Sequence, residues 1–427
     1  MSGKDYSKQV EKRQKIKKTT LVVGLDIGSE FNAMGMMNKA GEIIGRYPKV
    51  YNSRKGFEYF KRTIEMTKKR YGLRKVLIGM EPTGHYWRKI GYYAKEQGYE
   101  IRFIRTTALR HQREVDESSS AKSDMRDALT ITNIVREGKY IDTVIEEGVL
   151  RQLRTLAKVR EKMQRGNTSA KHRLAAVLDD YFPELRSMFW SMKAKGLWAL
   201  LEKCPYPEDV LKLKEEEVAE IICKSSRRKA KAIEKAQKVY KAAGESIGLK
   251  YIGEADRYRM KVTLEEVKRS ETEIKEVDKQ MEKLLEEIPY AEIIRSIKGV
   301  GLLTTAVFLG ELGDPKNFSG PKQIIKYAGY DPMEDDSGKR VGGKRISKKG
   351  RWLLRKYLYF MGMRVITHNE FFKKYYDRKL EGKNRFGRSL AKKEALCAVI
   401  IKLIKVIFAL LRDNRRFSAG QPVIAAV

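Results

Sequence analysis

Leu21-Val22-Val23-Gly24-Leu25-Asp26-Ile27-Gly28-Ser29 is the stretch on which the reading of this chain turns. Residues 21–25 form a short, unbroken apolar run, the pattern of a strand buried on both faces. The run ends in a carboxylate. An ionised acid has no stabilising reason to sit at the end of a buried strand unless it is paired or holds a metal. Turn chemistry is the simpler reading of Asp-x-Gly-Ser taken alone. The arrangement occurs a second time: Val76-Leu77-Ile78-Gly79-Met80 ends in Glu81 and leads into Pro82-Thr83-Gly84. Ligand sites in α/β sheets favour the carboxyl ends of strands, so two such endings carry more than one.

Working outward, residues 31–37 and 42–50 read as neighbouring strands of a meander, and 100–104 as a further strand. Residues 56–71, 85–97 and 124–136 read as helices, while 106–120 lacks clean periodicity. The pattern predicts an α/β domain with a mixed sheet over 20–146, preceded by a basic flexible tail over 1–19. Asp124 and Asp127 lie three apart at the start of the helix 124–136, so they project from nearly one face. Plain helix-start chemistry accounts for that pair equally well, since the N-terminus favours ionised acids. Taken together, Asp26, Glu81, Asp124 and Asp127 would repel one another unless divalent cations sat between them, and two such ions could clamp a phosphodiester.

Residues 147–289 turn helical and highly charged. Met260, Leu264, Val267, Ile274, Met281, Leu284 and Ile288 recur at three- and four-residue steps, a coiled-coil seam interrupted by Glu271. Leu150, Leu153, Leu156, Val159 and Met163 supply a second amphipathic helix. Arg227, Arg228, Lys229 and Lys231 form a basic cluster that reads as a solvated face.

The last unit, 290–427, is expected to be mainly helical. It opens with Ile294 and Ile297 before Lys298-Gly299-Val300-Gly301, which looks like a helix-hairpin-helix whose Gly-x-Gly amides could approach a phosphate. A polar loop at 331–350 holds Ser337, followed by Lys339, Arg340, Lys344, Arg345, Lys348, Lys349, Arg351 and Arg355. The cations suit a phosphate-tracking surface. Ser337 reads from the residues alone as a turn serine, although a hydroxyl beside cations could also attack phosphorus.

Composition supports this direction. Lys and Arg number 90 against 55 acids, a net charge of +35, and so basic a chain calls for a polyanionic partner. Nucleic acid fits; acidic proteins do not. The most apolar stretch, 395–411, carries Lys402 and Lys405 and reads as a core helix, not a membrane span. A soluble cytoplasmic protein is therefore expected. Cys204, Cys223 and Cys397 form no CxxC pair, which argues against zinc and disulfide frameworks and leaves oxygen ligands for magnesium or manganese.

The order of motifs resembles a known family. Gly24-Leu25-Asp26-Ile27-Gly28, then Met80-Glu81-Pro82-Thr83-Gly84-His85-Tyr86, then Lys122-Ser123-Asp124-Met125-Arg126-Asp127-Ala128 is similar to the DEDD insertion-sequence transposases of the IS-one-ten family. Ile297-Lys298-Gly299-Val300-Gly301, Ala328-Gly329-Tyr330-Asp331-Pro332, and Ser337-Gly338 before Arg345-Ile346-Ser347-Lys348-Lys349-Gly350-Arg351 resemble that family's C-terminal domain. The resemblance implies an RNase H-like, RuvC-like first domain with Asp26, Glu81, Asp124 and Asp127 as a metal-binding tetrad. It implies Ser337 as a nucleophile that links transiently to DNA. It further implies a structured bridge RNA pairing with target and donor DNA, association with the nucleoid, and homodimers pairing into a tetramer. Where similar proteins carry small polar residues before the Ser-Gly, this chain has Glu334, Asp335 and Asp336. Two other readings use fewer of these features. One is a RuvC-like nuclease working through metal-activated water, and the other a non-enzymatic basic nucleic-acid-binding protein.

Overall fold

The computed structural model describes residues 3–82, 84–116, 123–142, 145–189, 194–224, 229–333, 345–382, 387 and 389–418. The chain divides into two compact units, Met1–Ile145 and Glu146–Val427.

The first unit is built on strands β1 (Thr20–Ile27), β2 (Phe31–Met37), β3 (Lys49–Tyr51), β4 (Lys75–Met80) and β5 (Glu100–Phe103), in the order β3-β2-β1-β4-β5. β1 is antiparallel to β2 and parallel to β4; β2 and β3 are antiparallel, β4 and β5 parallel. This is the RNase H-like arrangement that the motifs imply. Strand alternation divides the apolar residues between two layers. Leu21, Val23 and Leu25 face a core shared with Phe60 and Ile64 of the helix Arg54–Arg70 and with Ile90 and Ala94 of Trp87–Glu96. Val22 and Leu77 face the other side, against Ile131, Ile134 and Val135 of the helix Asp124–Arg136. Both faces being covered explains why β1 and β4 read as continuous apolar runs.

Three expectations are corrected here. No strand spans 42–50: β3 holds only three residues, and Ile43 makes an isolated bridge to Met37. Gly41 and Gly45 adopt φ of +100° and +79°, and Pro48 lacks a donor, so the ladder is broken until Lys49. Residues 106–120, without clear periodicity in sequence, contain the helix Thr106–Asp116, which buries Leu109. The first nineteen residues include a helix, Gly3–Lys15. It is fastened by Lys12, whose ammonium donates to the Tyr140 carbonyl at 2.8 Å and meets Asp142 at 2.7 Å, and by the buried Ile16 that follows it.

The second unit is helical. Its two longest helices, Gly148–Tyr181 and Glu254–Glu286, pack on each other along the seam visible in the sequence. The seam is thus satisfied within one chain and gives no ground for a second copy. It serves two cores. Leu174 and Leu178 join Met260, Leu264 and Val267 in one, and Leu153 and Ala157 join Val277, Met281 and Leu285 in the other, together with the C-terminal helices. Between them lies a polar stretch, where Asn167 donates to Ser270 at 2.9 Å, Lys171 to Glu271 at 2.5 Å, and Arg160 to Asp278 at 2.5 and 3.2 Å. Glu271 interrupts the apolar repeat because it has this lysine to meet. Among the described residues, no helix is long and apolar enough to cross a membrane.

Candidate active site and nucleic-acid interface

The register of the sheet places the first two acids. β1 and β4 pair in parallel through Leu25 and Met80, so Asp26 and Glu81 each stand one residue beyond the last pair, where the two neighbouring strands part. Gly24 and Gly79, two residues earlier in each strand, share their face. That face is the one the helix Asp124–Arg136 covers. A Cβ on Gly24 would collide with the Ala128 carbonyl and the Thr132 hydroxyl, one on Gly79 would overlap Val135, and one on Gly35 of β2 would stand 3.0 Å from Ala128. The glycines therefore let the helix lie directly on the sheet. The helix carries Ala128 over Gly24, and its first turn extends toward the strand ends where Asp26 and Glu81 sit. That first turn holds Asp124 and Asp127. Asp127 is buried at 5% exposure, Asp124 is exposed, and Asp26 and Glu81 are half-buried.

The turn after Asp26 is locked by two asparagines that sequence reasoning does not single out. Asn52 donates to the Gly28 and Ser29 carbonyls at 3.0 and 2.8 Å. Buried Asn32 in turn donates to Asn52 at 2.9 Å. A lone amide inside the strand Phe31–Met37 is the available signal, because a buried polar side chain needs a partner. The strand glycines are the other signal: Gly-x-Asp and Gly-x-Glu repeat the same spacing on β1 and β4.

The donor set suits the implied cation. All four groups are carboxylates, the hard oxygen donors that magnesium and manganese prefer, and the backbone brings their elements to one corner. The side chains are not gathered round one point: among the described residues no three His, Cys, Asp or Glu side chains come together to hold a metal ion.

In the second unit, the helices Ala291–Arg295 and Leu302–Leu312 flank the glycine turn. Gly299 has φ +101°, and a Cβ there would stand 2.8 Å from the Arg364 carbonyl, so this glycine is required by packing. Gly301 and Lys298 are exposed, and a Cβ on Gly301 would meet nothing within 4 Å among the described residues.

The basic run divides into two kinds of residue. Arg351 donates to Glu311 at 2.7 Å and to the Tyr327 hydroxyl at 3.2 Å. Burial works against its charge, and Tyr327 and Glu311 outweigh that and hold its pKa above the usual value. Arg355 donates to the Ala328 and Lys348 carbonyls at 3.1 and 3.0 Å. These two guanidinium groups are occupied in holding the returning limb of the 331–350 loop on the helix Pro321–Ala328. Lys348, with φ +53°, and Lys349 and Arg345 are exposed. The loop rests on a two-residue ladder, Pro332–Met333 with Arg345–Ile346. Ser337, Lys339, Arg340 and Lys344 lie outside the described residues, as do Arg227 and Arg228.

Comparison with known proteins bears on both units of the chain. The DEDD transposase model of IS110 elements matches residues 23–183, and a model described as transposase, IS116/IS110/IS902 family, matches residues 291–377. A protein of insertion element IS110 from Streptomyces coelicolor is 21% identical over 336 residues, covering 77% of this chain and 80% of its own. A pilin gene-inverting protein from Moraxella bovis is 29% identical over 130 residues, 30% of this chain and 38% of its own. Among solved structures, Thermus thermophilus RuvC with a Holliday junction aligns at a TM-score of 0.21 and 15% identity, over 28% of this chain and 98% of that one. With both family models matched, in the order in which the motifs run, the chain belongs to the IS110 family of insertion-sequence transposases.

Proposed function

We propose that this transposase cuts and exchanges DNA strands at the corner formed by Asp26, Glu81, Asp124 and Asp127, with Ser337 as nucleophile. The observation that carries the reading is the paired ending of β1 and β4. Two acids, each two residues after a glycine, follow the last β1–β4 pair, and the helix laid over those glycines carries two more in its first turn. The four carboxylates would hold a magnesium or manganese ion, which when bound offsets charge developing on the phosphodiester oxygens. Ser337 Oγ attacks the phosphorus and gives up its proton. The bond to the departing strand breaks, that strand's oxygen takes a proton, and the remaining end stays attached as a phosphoserine. Attack by the hydroxyl of a new strand reverses the step and restores the serine. Exposed Lys298, Arg345, Lys348 and Lys349, with Lys339, Arg340 and Lys344 of the loop, follow the phosphates.

The family resemblance supports two further parts of this reading. A bridge RNA selects the sequences, bound by the protein through shape and backbone, and two dimers assemble so that the serine of one protomer serves the acid corner of another. The test is adduct trapping. The protein is incubated with its element ends, RNA transcribed from the element's non-coding flank, and magnesium, then quenched in denaturant. DNA bound covalently to protein, and lost in Ser337→Ala, is the expected result. Cut ends without any adduct would overturn the serine and leave hydrolysis by water.

A further inference from the structure

The face of the sheet that carries Asp26 does not end there. Asp26 pairs with Ala33 of β2, and Ala33 pairs with Lys49 of β3. Two residues along, on the same face, Phe31 pairs with Tyr51. Crossing two strands at about 4.8 Å and moving two residues along puts Tyr51 roughly 12 Å from Asp26, about two nucleotides of a single strand. Val50, between them, points to the opposite face and is buried, whereas Lys49 and Tyr51 are exposed, Tyr51 at 56%. The two rings lie 6.0 Å apart at 59°, and the Lys49 ammonium sits 4.6 Å from the Phe31 centroid. A large aromatic on a three-residue edge strand, backed by a second ring and a cation, is a poor choice for a solvated edge. It is a suitable one for a nucleobase, which stacks on an open aromatic face while a nearby ammonium meets the phosphate.

We infer that Tyr51, backed by Phe31 and Lys49, is a stacking platform for an unpaired base of the DNA strand that enters the acid corner. It is a positioning residue: it fixes the strand on one side of the scissile phosphate and touches no reacting atom. The inference rests on the acid corner being the place where DNA is cut, and its test does not require cutting.

The probe is a twelve-nucleotide oligothymidylate carrying one 5-iododeoxyuridine, mixed with the full-length chain without divalent cation and irradiated. The expected adduct maps to the peptide containing Tyr51, disappears in Tyr51→Ala and is kept in Tyr51→Trp. Unlabelled oligothymidylate should compete about tenfold better than an abasic strand of the same length, because only the former has bases to stack. An adduct elsewhere that is indifferent to Tyr51→Ala overturns the platform. Equal competition by the abasic strand reduces it to a phosphate track, and better competition by oligouridylate makes its occupant RNA; both overturn the proposal as stated. Loss of cleavage in Asp26→Asn tests the acid corner separately, so the two readings can fail independently.

Discussion

The acid corner of the N-terminal unit and the basic run of the C-terminal unit each offer a set of like charges, the acids scattered from Asp26 to Asp127 and the cations contiguous, and the two sets are built in opposite ways. The elements that carry Asp26, Glu81, Asp124 and Asp127 are drawn to one corner by backbone: parallel pairing ends β1 and β4 beside each other, and strand glycines admit the helix whose first turn holds the other two. The described cations of the 345–355 run are sorted one by one through their partners. Arg351 and Arg355 are held by Glu311, Tyr327 and backbone carbonyls, while Lys348 and Lys349 face solvent. A cluster of charges thus says little about ligands until each member's neighbours are known.

The sharpest way to break this contrast is Arg351→Ala. Glu311 is 2% exposed, and removing its partner leaves a buried charge uncompensated. A loss of about 3–5 kcal/mol is expected, read as a fall in denaturant midpoint. No change in midpoint would return Arg351 to the phosphate-binding group. Next in size is Gly24→Ala, whose methyl would collide with the backbone of Ala128. It should cost about 1–3 kcal/mol and lower strand cleavage, whereas Gly301→Ala, whose methyl meets nothing within 4 Å among the described residues, should leave stability nearly unchanged. Equal effects at the two glycines would contradict the account of how the acid corner is assembled. The smallest change is expected from Lys348→Ala, which should leave the melt unmoved and reduce the slope of log K against log salt by about 1. An unchanged slope would remove Lys348 from the interface.

Much of the N-terminal unit is legible in sequence because its physics is local. Buried strands read as apolar runs, and the helix over 124–136 stands where its pattern places it. Residues 42–50 read wrongly as a strand because their apolar residues carry no mark of the two positive-φ glycines that break it. The helix Thr106–Asp116 escapes a sequence reading because, among its described side chains, Leu109 alone is fully buried, and one apolar anchor makes no period. The helix Gly3–Lys15 depends on distant partners, Tyr140 and Asp142, that a local reading cannot supply. The same applies to the site. Its acids are visible as strand-end and helix-start residues. The glycines that position them, the Asn32–Asn52 lock and the Phe31–Tyr51 pair become meaningful only once register is known. The seam 260–288 and the amphipathic helix over 150–163 are both legible, but that the two pack on each other within one chain is not.

The most direct test of the central claim is a strand-cleavage assay on element ends with Asp26→Asn and Glu81→Gln, paired with a binding measurement on the same DNA. Amides keep the shape and remove the charge, so cleavage should fall roughly a thousandfold while the dissociation constant stays within about twofold, because binding is set by the cations. Cleavage retained in both variants would contradict the account, and the chemistry would have to be sought outside the corner where β1 and β4 end.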